Sequence, residues 1–267
     1  MEIRTFTTSD GVAVPLMVSA TIAAPFRHGF TTRAGGVSEP PFDTLNLGWK
    51  WGDRCEHVDE NHRRLLDVSR ASAMFRVSQV HGTRIVRVRH ADDLHAVAAE
   101  RADGLCSDEP GVAISIHVAD CTPILLACPR TGAFAALHAG WRGTVAGIAR
   151  AGVEMMTAQF GCRPGELRAA LGPCIGGCCF EVGPGVVDAF VAANPAAREN
   201  GSVMRGKKKE HIDLRLVQQI ELESAGVLPA NIDASAACTH CDPHQRFFSF
   251  RKAGRATGQM VGFIVRG

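Results

Sequence analysis

Apolar positions along this chain come in short runs whose period changes often. Residues 112–119 alternate apolar and polar like a half-buried strand. Residues 124–128 form a compact apolar run, Pro129, Arg130, Thr131 and Gly132 make a turn signal, and residues 133–139 are apolar again. The pattern predicts a hairpin. If Cys128 faces Ala133, then Pro123 faces His138 and Cys121 faces Gly140. Cys121 and His138 become diagonal neighbours on one face, about 7–8 Å apart between backbones. A register slip of one residue would send them to opposite faces.

The same reading predicts strands over residues 3–7, 12–18, 75–88, 167–171, 232–238 and 260–265. Helices are expected over 53–67, with Leu65 and Leu66 on one face, over 184–193 behind Pro184, and over 213–225 capped by Asp213. A further helix should run from an N-cap at Thr144 to Phe160 and stop at Gly161. No regular βαβ repeat, internal repeat or linker interrupts the chain. The expectation is one α+β domain over residues 1–267, with helices on the outer faces of sheets.

Charge narrows the function. A net charge of +2 gives no argument for nucleic-acid binding, and the run Arg205, Gly206, Lys207, Lys208, Lys209 reads as a solvated loop. The N-terminus lacks an apolar core and no stretch approaches a membrane span, so a cytoplasmic protein without membrane contact is expected. In that compartment ten cysteines read as reduced thiols, ligands or core residues rather than a disulfide framework.

Three peptides carry candidate chemistry: Q-V-H-G at 79–82, V-A-D-C-T-P at 118–123 and L-H-A-G-W-R-G-T at 137–144. Taken singly, His81, Cys121 and His138 are ordinary core residues. Together they are a zinc set of two imidazoles and one thiolate, leaving the fourth position open as catalytic sites do.

These peptides, in this order, with A-L-G-P-C-I-G-G-C-C-F-E-V-G at 170–183 and F-F-S-F-R-K-A-G at 247–254, resemble the YfiH/YlmD family. Its members are the bacterial relatives of the human laccase-domain protein, once classed as a polyphenol oxidase. H-G-F-T-T-R-A-G-G-V-S at 28–38 and L-N-L-G at 45–48 extend the resemblance from about Phe26 to the C-terminus. The resemblance implies a four-layer α/β/β/α sandwich with mixed sheets and metal ligands at His81, Cys121 and His138. It implies a zinc-dependent purine nucleoside phosphorylase acting on adenosine, inosine, guanosine and methylthioadenosine, with phosphate as co-substrate and adenosine deamination as a side activity. The chain departs from the family pattern at Phe250, where Tyr or His is common, at Gln259, where Arg is common, and at Trp49, Lys50 and Trp51, in a segment that often holds His.

Phosphorolysis needs an anion seat. Residues 140–144 open the predicted helix after His138, so backbone N–H groups and Arg142 are expected to hold phosphate. Arg33 and Arg251 are weaker candidates, and Asn46 is a candidate for ribose or base. Asp120 is a candidate general base, although strand alternation points it away from Cys121. Cys174, Cys178 and Cys179, with Cys238 and Cys241, suggest a second metal site, against which stands the spacing C-x-x-x-C-C; His240 and His244 interleave with the second group.

Competing functions are a copper-dependent polyphenol oxidase and a metal-free cysteine hydrolase using Cys121 and His138. Copper(II) can replace zinc on such ligands. None of the eleven histidines forms the H-x-H pair of multicopper oxidases, and no H-x-E of the cytidine-deaminase type is present.

Overall fold

The computed structural model describes residues 1–267. Strands are numbered along the chain. One six-stranded sheet contains β1 (Glu2–Thr7), β2 (Ala13–Val18), β3 (Phe26–Thr31), β4 (Ala73–Phe75), β7 (Val112–Val118) and β15 (Met260–Arg266), in the order β1-β2-β3-β15-β7-β4. The second contains β5 (Ile85–Arg87), β6 (Gly104–Ser107), β8 (Thr122–Ala127), β9 (Phe134–Ala139), β10 (Arg168–Leu171) and β14 (Ile232–Ala234), in the order β14-β10-β8-β9-β6-β5. Both sheets are mixed: β4–β7, β5–β6 and β10–β14 are parallel pairs. A small antiparallel sheet holds β11 (Glu181–Val182), β12 (Val203–Arg205) and β13 (Glu210–Ile212).

Side-chain alternation sets the layers. Phe30, Ile114, Ile116 and Ile264 of the first sheet share one core with Leu125, Phe134 and Ala136 of the second. On the far side of the first sheet, Val14, Leu16 and Phe263 pack against Leu65 and Val68 of α1 (Cys55–Ser69). On the far side of the second, Ile124, Leu126 and Leu137 pack against Ile148, Val153 and Met156 of α4 (Ile148–Phe160) and Leu222 of α6 (Leu214–Ser224). The order of faces is therefore helix, sheet, sheet, helix. Each fully buried Leu, Ile or Phe contributes about 1.5–3 kcal/mol, so the inter-sheet core is the main source of stability. Short helices α2 (Leu94–Ala99) and α7 (Phe250–Ala253) lie at the surface, α3 (Trp141–Val145) follows β9 with Gly143 and Thr144 buried, and α5 (Pro184–Ala193) packs with the small sheet around Phe190, Val203 and Ile212. No helix is long and apolar enough to cross a membrane.

The hairpin forms in the expected register, with Pro123 opposite His138. Four expectations change. Residues 112–118 are buried on both faces, not one, because Ser115 donates to the Phe75 carbonyl and His117 packs against His62 of α1. The strand expected over 75–88 breaks into β4 and β5, since Asp103 draws the backbone N–H groups of Val80, His81 and Gly82 out of any ladder. Thr144 is not an N-cap. Its buried hydroxyl donates to the Gly140 carbonyl at 2.9 Å and accepts from Gln218, and Gly147 at φ +83° splits the predicted helix into α3 and α4. The last strand of the second sheet stops at Ala234 because the Arg215 guanidinium takes the Ser235 and Ala237 carbonyls.

Candidate active site

Cys121 lies just before β8 and His138 lies on β9, on the hairpin face turned toward the first sheet. His81 arrives from the loop between β4 and β5. Its backbone is left-handed (φ +63°), a conformation costly for a residue with a Cβ. Asp103 holds it there. One carboxylate oxygen accepts from His81 N at 2.8 Å and from His138 Nδ1 at 2.8 Å; the other accepts from Gly82 N at 2.6 Å and Val80 N at 3.2 Å. Gln79 adds a second anchor, its amide pairing with both backbone groups of His117 at 2.8 Å. The ligand atoms of His81, Cys121 and His138 consequently lie within 4.8 Å of one another.

Gly140 makes room for this convergence: a Cβ there would overlap the His81 ring and come within 3.1 Å of Cys121 Sγ. Burial opposes a Cys121 thiolate, but the charge of His138 and hydrogen bonds from both histidines bring its pKa down to about 6. Burial likewise opposes a charged His138, yet Cys121 and then Asp103 raise it to about 9. Asp103 stays ionised despite its burial, held below the usual carboxylate range by His138 and the Gly82 N–H. With Nδ1 engaged by Asp103, His138 keeps Nε2 as its free nitrogen.

The three side chains form the floor of a cavity of about 400 Å³, within the size range of small-molecule sites. Trp49, Trp51 and Phe250 line its walls together with Lys50, Arg76 and His117. His62 stacks on Trp49 at 4.2 Å, and the Arg76 guanidinium lies 4.4 Å over the same indole. His117 Nε2 is buried with no hydrogen-bond partner, and burial holds the ring well below its ordinary pKa, hence neutral.

The other residues singled out in the sequence are engaged elsewhere. Asp120 (φ +92°) spends one oxygen on Thr239 Oγ1 at 2.5 Å and the other on Arg251 N at 2.6 Å, so it anchors the loop after β14 and the start of α7 and does not line the cavity. Arg33 is tied to Asp43 by an ion pair at 2.8 Å, and Asn46 to Gly48, Asp53 and Gln259. Arg251 reaches the Glu181 carbonyl, and Arg142 is exposed and stacks on Trp141 at 4.3 Å. None of these arginines, nor Asn46, lines the cavity. Asp103, Arg76 and His117 were missed by sequence reasoning. Only Asp103 left a signal: a lone carboxylate inside the apolar stretch of residues 102–106.

Comparison with known proteins places these features in a family. The family described as "Multi-copper polyphenol oxidoreductase laccase" matches residues 27–267. A protein of Pseudomonas aeruginosa named purine nucleoside phosphorylase is 40% identical over 242 residues, covering 90% of this chain and 93% of its own. The purine nucleoside phosphorylase YlmD of Geobacillus stearothermophilus is 35% identical over 245 residues, 89% of each chain. The crystal structure of a hypothetical protein YfiH from Bacillus licheniformis superposes with a TM-score of 0.88 at 32% identity, covering 99% of both chains. The chain thus belongs to the YfiH/YlmD family, which carries the laccase description.

Proposed function

We propose that this protein is a zinc-dependent purine nucleoside phosphorylase, with adenosine, inosine, guanosine and methylthioadenosine as substrates and adenosine deamination as a side activity. The observation that carries the reading is the convergence of His81, Cys121 and His138 on the floor of an aromatic, cation-lined cavity. The donor set fits zinc: two imidazoles and a thiolate, with Asp103 fixing the ring of His138. It also admits copper(II) as a replacement. Zinc bound there would supply Lewis acidity, polarising an oxygen of phosphate or substrate and, without phosphate, activating water.

The remaining work falls to this chain's own side chains. Trp49, Trp51 and Phe250 offer flat apolar walls to a purine. The neutral ring of His117 adds a further flat wall beside them. Arg76 has no carboxylate partner and shares the cavity with Lys50, so these two cations take the phosphate-binding role that the sequence suggested for Arg142. Phosphorolysis breaks the glycosidic bond, joins a phosphate oxygen to the anomeric carbon and releases the base.

The test is release of base and ribose 1-phosphate from adenosine, inosine and guanosine with and without phosphate. Equal rates without phosphate would make the enzyme a hydrolase. If deamination uses the same site, phosphate should suppress inosine formation from adenosine while promoting adenine release.

One observation favours a second reading. Asp103 is hydrogen-bonded to His138, whose ring nitrogen lies within 4.8 Å of Cys121 Sγ, an order like that of a cysteine hydrolase, with the thiolate and imidazolium forms mutually stabilised. His81 argues against it, since a strained backbone is spent on crowding the nucleophile. Activity that survives chelation but is lost on thiol alkylation would decide for the hydrolase.

A further inference from the structure

Four other cysteines meet on the opposite side of Asp120. Cys178 and Cys179 come from the loop between β10 and β11, and Cys238 and Cys241 from the loop after β14. Their four Sγ atoms lie within 4.8 Å of one another, and Cys178 Sγ is 3.7 Å from Cys241 Sγ. The sequence spacing argued against this meeting, because a four-cysteine site needs two convergent pairs and C-x-x-x-C-C does not match the C-x-x-C of Cys238 and Cys241. Here the backbone turns instead: Cys179 N and Phe180 N both donate to the Gly176 carbonyl, at 2.9 and 3.0 Å, and the turn brings both thiols to one point. Gly176 N also donates to Cys238 Sγ at 3.2 Å. An N–H aimed at sulfur stabilises a thiolate, the form that binds metal.

We propose that Cys178, Cys179, Cys238 and Cys241 bind a second zinc ion, in a closed structural site. A zinc–sulfur bond of about 2.3 Å gives a tetrahedron of edge about 3.8 Å, against which the observed separations can be set. Sulfurs this close suit one ion, since a polynuclear iron–sulfur cluster holds its outer thiolates farther apart. Soft thiolates select zinc over hard cations, and binding releases the thiol protons to solvent. Cys174 is outside the set; it is buried and bridges to Cys238 through the backbone.

The position gives the ion a task. Thr239, next to Cys238, donates to Asp120, and Asp120 precedes Cys121 and also holds Arg251 N, next to the cavity residue Phe250. The second zinc would staple the loop that buttresses the active-site hairpin from behind.

This inference does not depend on the proposed activity, and its test keeps the two metal positions apart. Zinc per chain is counted in the purified full-length protein, in Cys241→Ser and in Cys121→Ala. Loss of one equivalent in Cys241→Ser is expected whatever His81, Cys121 and His138 bind, and Cys121→Ala should keep the equivalent that Cys241→Ser loses. If Cys241→Ser fails to fold, cobalt(II) added to the metal-free native chain decides. Four thiolates give strong sulfur-to-cobalt charge-transfer absorption, several times that expected from the single thiolate of the other site. Unchanged zinc in a folded Cys241→Ser, a Cys178–Cys241 disulfide in freshly purified protein, or a cobalt spectrum of one thiolate would each overturn the proposal.

Discussion

Replacing Asp103 by Asn is the sharpest test of how the active site is assembled. The substitution keeps shape and volume and removes one acceptor oxygen. In the native chain each carboxylate oxygen serves two N–H donors: His81 N and His138 Nδ1 on one, Gly82 N and Val80 N on the other. An amide can satisfy only one pair, and its NH₂ then faces two donors. Hydrogen bonds to charged groups contribute about 1.5–3 kcal/mol each. Val80 is exposed and its N–H can return to water, which lowers the cost. A net loss of about 2 kcal/mol should lower Tm by roughly 4–8 °C. Metal affinity should fall about 10–100-fold, the usual effect of removing a carboxylate behind a histidine ligand. Chelator competition followed by metal analysis measures the second quantity and thermal denaturation the first. A folded Asp103→Asn chain with native affinity and native Tm would refute the view that Asp103 organises both histidines.

Other expectations follow from single contacts. Gly140→Ala should cost the His81, Cys121 and His138 site its metal while the sheets stay folded, because the added Cβ overlaps the His81 ring; full metal occupancy of that site would contradict this. Arg76→Met should raise the KM for phosphate more than that for nucleoside, and an unchanged phosphate KM removes Arg76 from the anion seat. Burial raises the Glu221 carboxyl to about 7, with Oε2 unpartnered. Its raised folded pKa means the native state holds the proton more tightly than the unfolded chain. The contribution to stability is full below about pH 4.5 and is lost as pH rises to about 7. Glu221→Gln should therefore raise Tm at pH 8, by an amount corresponding to at most about 3 kcal/mol at 1.36 kcal/mol per pKa unit, and leave it nearly unchanged at pH 4.5; equal gains at both pH values would exclude the ionisation as cause.

The hairpin was legible because its determinants are local. A four-residue turn fixes the register, and the register fixes which side chains share a face, so Cys121 and His138 could be paired from sequence alone. His81 could be named but not placed, because the left-handed turn that aims it is imposed by Asp103, twenty-two residues away, on a different strand edge. Arg142 misled for the complementary reason. The local pattern of residues 140–144 does open a helix, but Trp141 packs onto the third core and draws the arginine over its own ring, away from the cavity. Arg76 and His117 sit in strands or loops with no local mark, and only the packing of α1 against the first sheet makes them walls of the same space. The cysteine loops show the same limit: spacing rules assume regular backbone, and the turn at Gly176 suspends them.

The aromatic wall has an optical consequence. The chain has three tryptophans and no tyrosine, so emission excited beyond the phenylalanine absorption band comes from indole alone. Trp49 and Trp51 face the cavity, whereas Trp141 packs against the third core. Trp49 is sandwiched by a half-buried imidazole and a guanidinium, both of which quench an excited indole or shift its colour as their distance or charge changes. Any molecule that slides between these rings alters two emitters and leaves the third as an internal standard. Occupancy can thus be followed in real time in the unlabelled protein, separating how tightly a nucleoside or an anion is held from how fast it is turned over.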